Sequence, residues 1–295
     1  MTVFHNDSYE RHAHAFEKYS TDPERQRVAS SWIDHTTADF WRHARSYEIA
    51  EILGNAPQET WLTIGDGRFG LDAQRLKKRG AFEVLPTDIS ETLLKAARES
   101  GAISNYSIQN AENLTFPDAS FEYVFCKEAY HHFPRPMKAL YEMLRVARKG
   151  VILIEPNDKK NALTRVAKNT INRLLGRQKP IDTDNYEEDG NYVFSISKRE
   201  VEKVALGLNL PQIAFKGIND YYAVGIEFEK LDSAVGRKMQ RHVALCDALC
   251  KIGLYVPSML MAAIFLQPVA PDKRSALIRA GWQIIDLPRN PYHPE

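Results

Sequence analysis

Cysteine is scarce in this chain: Cys126, Cys246 and Cys250 are the only three in 295 residues. An odd count without disulfide-like spacing excludes a disulfide-stapled scaffold and points to a reducing, cytoplasmic setting. Cys246 and Cys250 stand four apart on one face of an expected helix. Without further ligands nearby in sequence they read as small core residues, and neither they nor the pair His12 and His14 suggest a metal site. A dominant charge is also missing. Lys plus Arg number 39 and Asp plus Glu 38, a net charge of +1, which argues against nucleic-acid binding by charge alone. Long apolar runs are absent as well. The longest, Tyr255 to Ala270, is broken by two prolines, a Ser and a Gln, and is too short to span a bilayer. The first twenty residues hold no apolar core, so no signal peptide is expected. There is no internal repeat and no low-complexity segment. A hydrophobic content of 44% with 26% charged residues is ordinary for a soluble chain, and the length suits one elaborated domain.

The most informative stretch is Trp61-Leu62-Thr63-Ile64 running into Gly65-Asp66-Gly67-Arg68-Phe69-Gly70, with Asp88 eighteen residues beyond. An apolar strand, a glycine turn, an amphipathic helix and a second strand ending on an acid build a nucleoside-binding crevice at the carboxyl edge of a parallel sheet. Gly65 and Gly67 let backbone turn tightly and approach a ligand, and Asp88 is placed to accept hydrogen bonds from ribose hydroxyls. Around this unit, residues 1–57 read as polar helices with interleaved aromatics, Thr37 capping a helix that runs through Trp41 to Leu53. Strands are expected at 61–64, 83–88, 106–109, 123–126 and 151–154, with helices at 71–79, 90–99 and 137–147 between them. Ser197 caps a helix to about Gly207. Later strands are expected at 212–215, continuing toward 222–225, and at 260–266, separated by a helix over 229–250. Strands alternating with helices make βαβ units and a parallel sheet.

The spacing Gly65-x-Gly67-x-x-Gly70 also fits a dinucleotide fingerprint, which keeps a nicotinamide-dependent oxidoreductase as an alternative. The segments that follow discriminate. Gln109-Asn110-Ala111-Glu112-Asn113-Leu114-Thr115-Phe116-Pro117-Asp118-Ala119-Ser120-Phe121-Glu122, then Ala129-Tyr130-His131-His132-Phe133-Pro134 and Gly150-Val151-Ile152-Leu153-Ile154-Glu155-Pro156, resemble the small-molecule branch of the class I S-adenosylmethionine-dependent methyltransferases. The resemblance covers about residues 58–157 and continues weakly to about 270. It implies an α/β, Rossmann-like fold: a seven-stranded, mostly parallel sheet with helices on both faces and a reversed last strand. It divides the chain into an N-terminal helical cap (1–57), the cofactor-binding core (58–157), a basic and acidic insertion (158–196) and the remainder of the core (197–295) with a helical insertion at about 229–252.

By position, the resemblance implies that S-adenosylmethionine is the cofactor. Gly65 and Gly67 would line its methionine and ribose, Asp88 would bind the ribose hydroxyls and Ile89 would pack on adenine. Asn110, Ala111 and Glu112 would meet the adenine edge, and Lys127 and Glu128 would lie beside the methionine. Thr63 stands where the family carries an acid, and Phe69 where it carries a third glycine. Asp66 is the candidate to supply the missing negative charge. Trp41 and Arg45 precede the first strand, and an arginine there suits the methionine carboxylate.

A hydroxyl acceptor needs a base, and His131, His132 and Glu128 follow the fourth strand, where histidine's titration near neutrality suits proton transfer. Residues 159–179 carry seven Lys or Arg and no acid, and residues 182–189 carry five acids. The basic stretch has amphipathic helical spacing, which suits a phosphate-bearing substrate, an anionic membrane surface or a plain surface helix. The expected reaction is methyl transfer to a small molecule, an oxygen of a sugar or surface-glycan precursor in polysaccharide biosynthesis, with a homodimer possible. A non-catalytic, methyltransferase-like scaffold is the other alternative, suggested by Thr63 and Phe69.

Overall fold

A computed structural model describes residues 2–54, 56–158, 186 and 192–292. The basic stretch 159–179 and, apart from Tyr186, the acidic run 182–189 lie outside the described residues. The N-terminal part forms α1 (Thr2–Thr21), α2 (Pro23–Trp32), α3 (Ala38–His43), a 3-10 turn (Ala44–Tyr47) and α4 (Glu48–Leu53). Then come β1 (Thr60–Ile64), α5 (Leu71–Lys78), β2 (Glu83–Asp88), α6 (Thr92–Glu99), β3 (Ser107–Ile108), β4 (Phe121–Lys127), α7 (Pro136–Val146) and β5 (Ala147–Pro156). The described chain closes with α8 (Lys198–Gly207), β6 (Gln212–Ile218), α9 (Ala234–Lys251), β7 (Met259–Phe265), α10 (Pro271–Arg279) and β8 (Gln283–Asp286).

The strands make one sheet in the order β3-β2-β1-β4-β5-β7-β6-β8. The first five are parallel neighbours, and β7 runs antiparallel between β5 and β6. Every residue of β4 and β7 is buried, the pattern of strands covered on both faces. Alternate side chains feed two cores. Leu62, Ile64, Val124, Cys126 and Leu153 pack with α7 and α8 residues such as Leu140, Met143, Val201 and Val204. Trp61, Phe125, Ile152 and Ile154 pack on the other face with Ile49 and Leu53 of α4, Leu76 of α5 and Leu277 of α10. Each such buried side chain stabilises the fold by about 1.5–3 kcal/mol. Strand order reverses between β1 and β4, and a crevice opens there beyond the carboxyl ends. Among the described residues no helix is long and apolar enough to cross a membrane.

Four details differ from the pattern in the sequence. The sheet has an eighth strand: β8 pairs antiparallel with β6, Ile213 opposite Ile285. Four residues are too few to show a period, and the strand is fixed by long-range partners, Gln212 and Arg274 both reaching Asp286. The helix expected from Thr37 to Leu53 is divided into α3, a 3-10 turn and α4, although Thr37 does cap α3 by accepting from Phe40 N. The helix expected from Glu229 starts at Ala234, capped by Ser233. Residues 229–231 are held extended against 36–38, where Ala38 N donates to Glu229 O at 2.8 Å and Leu231 N to Thr36 O at 3.1 Å. The strand expected over 222–225 is not formed, since β6 ends at Ile218 and Asn219 turns its amide to Asp247.

Candidate active site

A cavity of about 210 Å³ lies at the carboxyl ends of β1, β2, β3 and β4, roofed by α1, α2 and α3. Its floor is the turn between β1 and α5. Gly65 has φ +71°, and a Cβ there would lie 2.3 Å from Cβ of Ala129, so only glycine lets this turn close on the one after β4. A Cβ on Gly67 would lie 2.8 Å from the Asp88 carboxylate. Phe69 adopts φ +60°, the backbone a glycine favours. Gln74 holds its carbonyl and its ring packs near Leu71 and Leu93, so the turn keeps its shape without the third glycine.

Asp66 lines the cavity, but its carboxylate is committed locally. It accepts from Thr63 Oγ1 (2.8 Å), Asp72 N (3.0 Å) and Ala73 N (2.9 Å), closing the amino end of α5. Burial, then the Asp72 charge, push it well above the usual carboxylate range. The expectation that Asp66 offers a free negative charge in place of the family's acid is therefore corrected: Thr63 and Asp66 satisfy one another. Asp88 differs. It is buried, takes Ser90 N at 2.8 Å, and burial pushes its pKa up to about 6 against the lowering effect of Ser90, Gly67 and Ile89 backbone bonds. Ile89 lines the cavity beside it.

Beyond β3, Asn110, Ala111 and Glu112 also line the cavity. Asn110 Oδ1 accepts from Glu112 N at 2.9 Å. Glu112, 1% exposed, accepts from Arg135 N (2.8 Å), Arg135 Nε (2.5 Å) and Tyr9 OH (2.8 Å). Arg135 Nη2 donates in turn to Tyr9 OH at 2.9 Å. Glu112 is thus the anchor that ties α1 to the core, a role the sequence does not reveal, since Tyr9 and Arg135 lie 103 and 23 residues away from it. The α1 stripe Tyr9, His12, Phe16 and Tyr19 faces the cavity, joined by Trp32 of α2 with its ring 4.9 Å from Tyr19. Those spacings of three and four were the available signal for a helix face. Arg68, stacked on Trp32, and Arg75, stacked on Phe40, add positive charge. Arg75 Nε is buried with no hydrogen-bond partner.

At the end of β4, Glu128 takes φ +49°, strained for a non-glycine residue. Lys127 Nζ binds its carboxylate, and His43 Nδ1 approaches at 3.2 Å. Burial would raise the Glu128 pKa, but Lys127, His43 and Arg42 outweigh it and hold it well below the carboxylate range. Asp39 is likewise lowered, burial being outweighed by His43 and Arg42. Asp39, His43, Lys127 and Glu128 all line the cavity, and neither Asp39 nor His43 was singled out by the sequence. The two adjacent histidines separate. His132 lines the cavity, its ring 5.7 Å from His12. His131 does not: its Nδ1 is 2.5 Å from Glu155 Oε2, and Glu155, fully buried, also takes Ala129 N and Tyr130 N. A role for His131 in proton transfer is corrected to support of the turn after β4.

Trp41 and Arg45, expected at the cofactor, are not at the cavity wall. Trp41 packs with Ala38, Ile226, Met239 and Val243. Arg45 Nη1 is paired with Asp247 of α9 at 2.7 Å, and its Nη2 donates to Asn219 O. The 3-10 turn at 44–47 rotates this stretch so that His43 and Tyr47 face inward instead. Among the described residues no cluster suits a metal ion, and Cys246 lies next to His242 while Cys250 meets Asn219.

Residues 62–154 match the family model described as a methyltransferase domain. A demethylmenaquinone methyltransferase of Deinococcus radiodurans is 31% identical over 44% of this chain and 53% of its own length. A 2-methyl-6-phytyl-1,4-hydroquinone methyltransferase of Synechocystis is 34% identical over 33% of this chain and 31% of its own. The chain thus spans about half the length, or less, of these curated relatives. In fold, it resembles a chain of the complex between the Haloferax volcanii Trm112 methyltransferase activator and a methyltransferase, with TM-score 0.53, 14% identity, and coverage of 86% of this chain and 98% of that one. With the sheet order and the glycine turn, this gives the chain a methyltransferase domain over residues 62–154 within a Rossmann-like α/β fold. Its domain is of the S-adenosylmethionine-dependent kind.

Proposed function

We propose that this protein transfers a methyl group from S-adenosylmethionine to a small acceptor with a planar, aromatic or quinol-like ring. The observation that carries the reading is the composition of the cavity: an unblocked glycine turn and Asp88 on one side, and a wall of Tyr9, His12, Phe16, Tyr19, Trp32 and Phe133 on the other. The cradle fits the cofactor. A side chain at Gly65 would collide with Ala129 and one at Gly67 with Asp88 and Phe16, Asp88 would accept from the ribose, and Ile89 and Ala111 would supply apolar faces for adenine. Arg75, with its unpartnered Nε, takes over the carboxylate role expected of Arg45. When bound, the cofactor supplies an electrophilic methyl on a sulfonium.

The chain's own contribution is placement and proton removal. The roof helices exclude water and orient an acceptor. His132 is the group placed to accept a hydroxyl proton, being the candidate histidine after β4 that reaches the cavity. Glu128, held ionised by Lys127 and His43, adds fixed negative charge to the same side. The sugar or surface-glycan acceptor expected from the sequence has weaker support. A polyhydroxyl ligand needs many unspent polar partners, whereas Glu112, Asp66 and Glu128 are engaged with protein groups. The similar curated proteins are named for quinone and hydroquinone methylation.

The test is calorimetric titration with S-adenosylmethionine, S-adenosylhomocysteine and NAD, followed by a methyl-transfer assay on quinols, phenols and nucleotide sugars. Binding of both sulfur compounds and not NAD, with transfer to a quinol or phenol, is expected. Binding of NAD alone would return the oxidoreductase alternative, and transfer to sugars alone would reject the aromatic acceptor.

A further inference from the structure

The structure carries an exposed surface that the cavity does not use. α9 lies between β6 and β7 and packs against the roof: Met239 and Val243 cover Ala38 and Trp41. Because β6 runs parallel to β5, the helix stands at the carboxyl edge, the edge that holds the cavity. Its inner side is Gly236, Met239, Val243 and Cys246. Its outer side presents Lys238, Arg241 and Lys251 together with Leu245 and Ile252, and Leu254 continues the face beyond the helix. Leu245, Ile252 and Leu254 are 59%, 68% and 59% exposed, unusual for large aliphatic side chains standing together.

The charge on this side has one sign. Asp247 is the single acid in α9, and it is turned inward to Arg45 and Asn219. Asp232, before the helix, is the nearest other acid along the chain. Among the described residues no ion pair holds Lys238, Arg241 or Lys251. Beside the helix, Tyr221 packs on His242 with rings 5.0 Å apart.

We infer that the outer face of α9 docks on an anionic lipid bilayer, with Leu245, Ile252 and Leu254 entering the headgroup boundary and Lys238, Arg241 and Lys251 contacting lipid phosphates. Two features select this occupant. A second copy of the chain would set this all-cationic face against itself, and like charges across an interface repel. An acidic polynucleotide would satisfy the cations but leave three aliphatic side chains against phosphate and water. A bilayer surface meets both needs, apolar area below and negative potential above. The inference is independent of the acceptor proposed for the cavity.

Vesicle co-sedimentation of the full chain tests it, using phosphatidylcholine alone and phosphatidylcholine mixed with phosphatidylglycerol. Binding to the mixed vesicles, weakened by salt, is expected. The double variant Lys238→Glu with Arg241→Glu should bind at least about tenfold more weakly, and Ile252→Ser with Leu254→Ser should also weaken binding at low salt. All four positions are exposed, so unchanged melting temperatures are expected and separate docking from folding. Failure of the wild-type chain to bind the mixed vesicles overturns the inference. So does wild-type binding by both double variants, which would assign membrane contact to residues 159–179. A dimer in solution that Leu254→Glu dissociates would give the face to a second copy instead.

Discussion

The two sides of the cavity are built in different ways. On the β1–β2 side the groups come from adjacent stretches of chain: Gly65, Asp66 and Arg68 in one turn, and Asp88 and Ile89 at the next strand end. Their placement follows from backbone conformation and from parallel pairing of β1 with β2. On the β4 side, Glu128 meets Lys127 and also His43, about 85 residues earlier, His43 reaches on to Asp39, and Glu112 meets Tyr9 and Arg135. Here the arrangement depends on roof helices docking over the sheet. The first side is therefore robust to changes in the roof, while the second should fail whenever the roof loosens.

The sharpest way to break the first side is Asp88→Ala. Losing charge-assisted hydrogen bonds to a ligand costs about 1.5–3 kcal/mol each, so affinity for S-adenosylmethionine should fall by about a hundredfold or more in calorimetry. Near-normal affinity would remove Asp88 from the site. The same group sets a pH signature. An exposed Asp loses its proton near 3.8 and folded Asp88 near 6. Between those values the folded chain holds more protons, so the stability Asp88 contributes is complete below about pH 3.8 and lost as pH rises through about 6. Asp88→Asn should therefore raise Tm at pH 7.5 relative to the parent and shrink that gain at pH 4, while weakening cofactor binding. A lower Tm at pH 7.5 would contradict the buried, raised carboxyl.

Arg135→Ala probes the second side. It strands the buried Glu112 carboxylate and releases Tyr9, and should cost about 2–3 kcal/mol in denaturant unfolding. Faster proteolysis of α1 is expected, with Arg135→Lys recovering part of the loss. Equal protease resistance would show that the roof is held by its apolar contacts alone.

The two histidines offer a finer division. His132→Ala should slow turnover by about a hundredfold with S-adenosylmethionine affinity nearly unchanged. His131→Ala should chiefly lower Tm, because Glu155 loses a partner. An unchanged turnover in the first variant would assign proton removal elsewhere, with His12 next to be tested.

The smallest effect is expected at Arg45. Its pair with Asp247 is partly exposed, so Arg45→Ala should cost no more than about 1 kcal/mol of stability and leave cofactor affinity within about twofold. A large loss of affinity would restore the carboxylate role that the sequence suggested for it.

The sequence by itself determined the α/β class, the parallel core and the glycine-turn side of the cavity. Apolar runs, glycines needing positive φ and an acid at a strand end act over a few residues, and local backbone sterics carry them into space unchanged. It also contained the aromatic stripe of α1, but nothing local says which surface a helix will cover. Only the tertiary structure decided that Arg45 turns to α9 while His43 turns to Glu128, that Glu112 anchors the roof, and that His131 supports a turn while its neighbour reaches the cavity. Adjacent side chains diverge according to what is packed against them, and a short edge strand such as β8 forms because β6 offers it partners. These outcomes rest on contacts between residues far apart in the chain, where burial and electrostatic pairing outweigh any preference the neighbouring residues express.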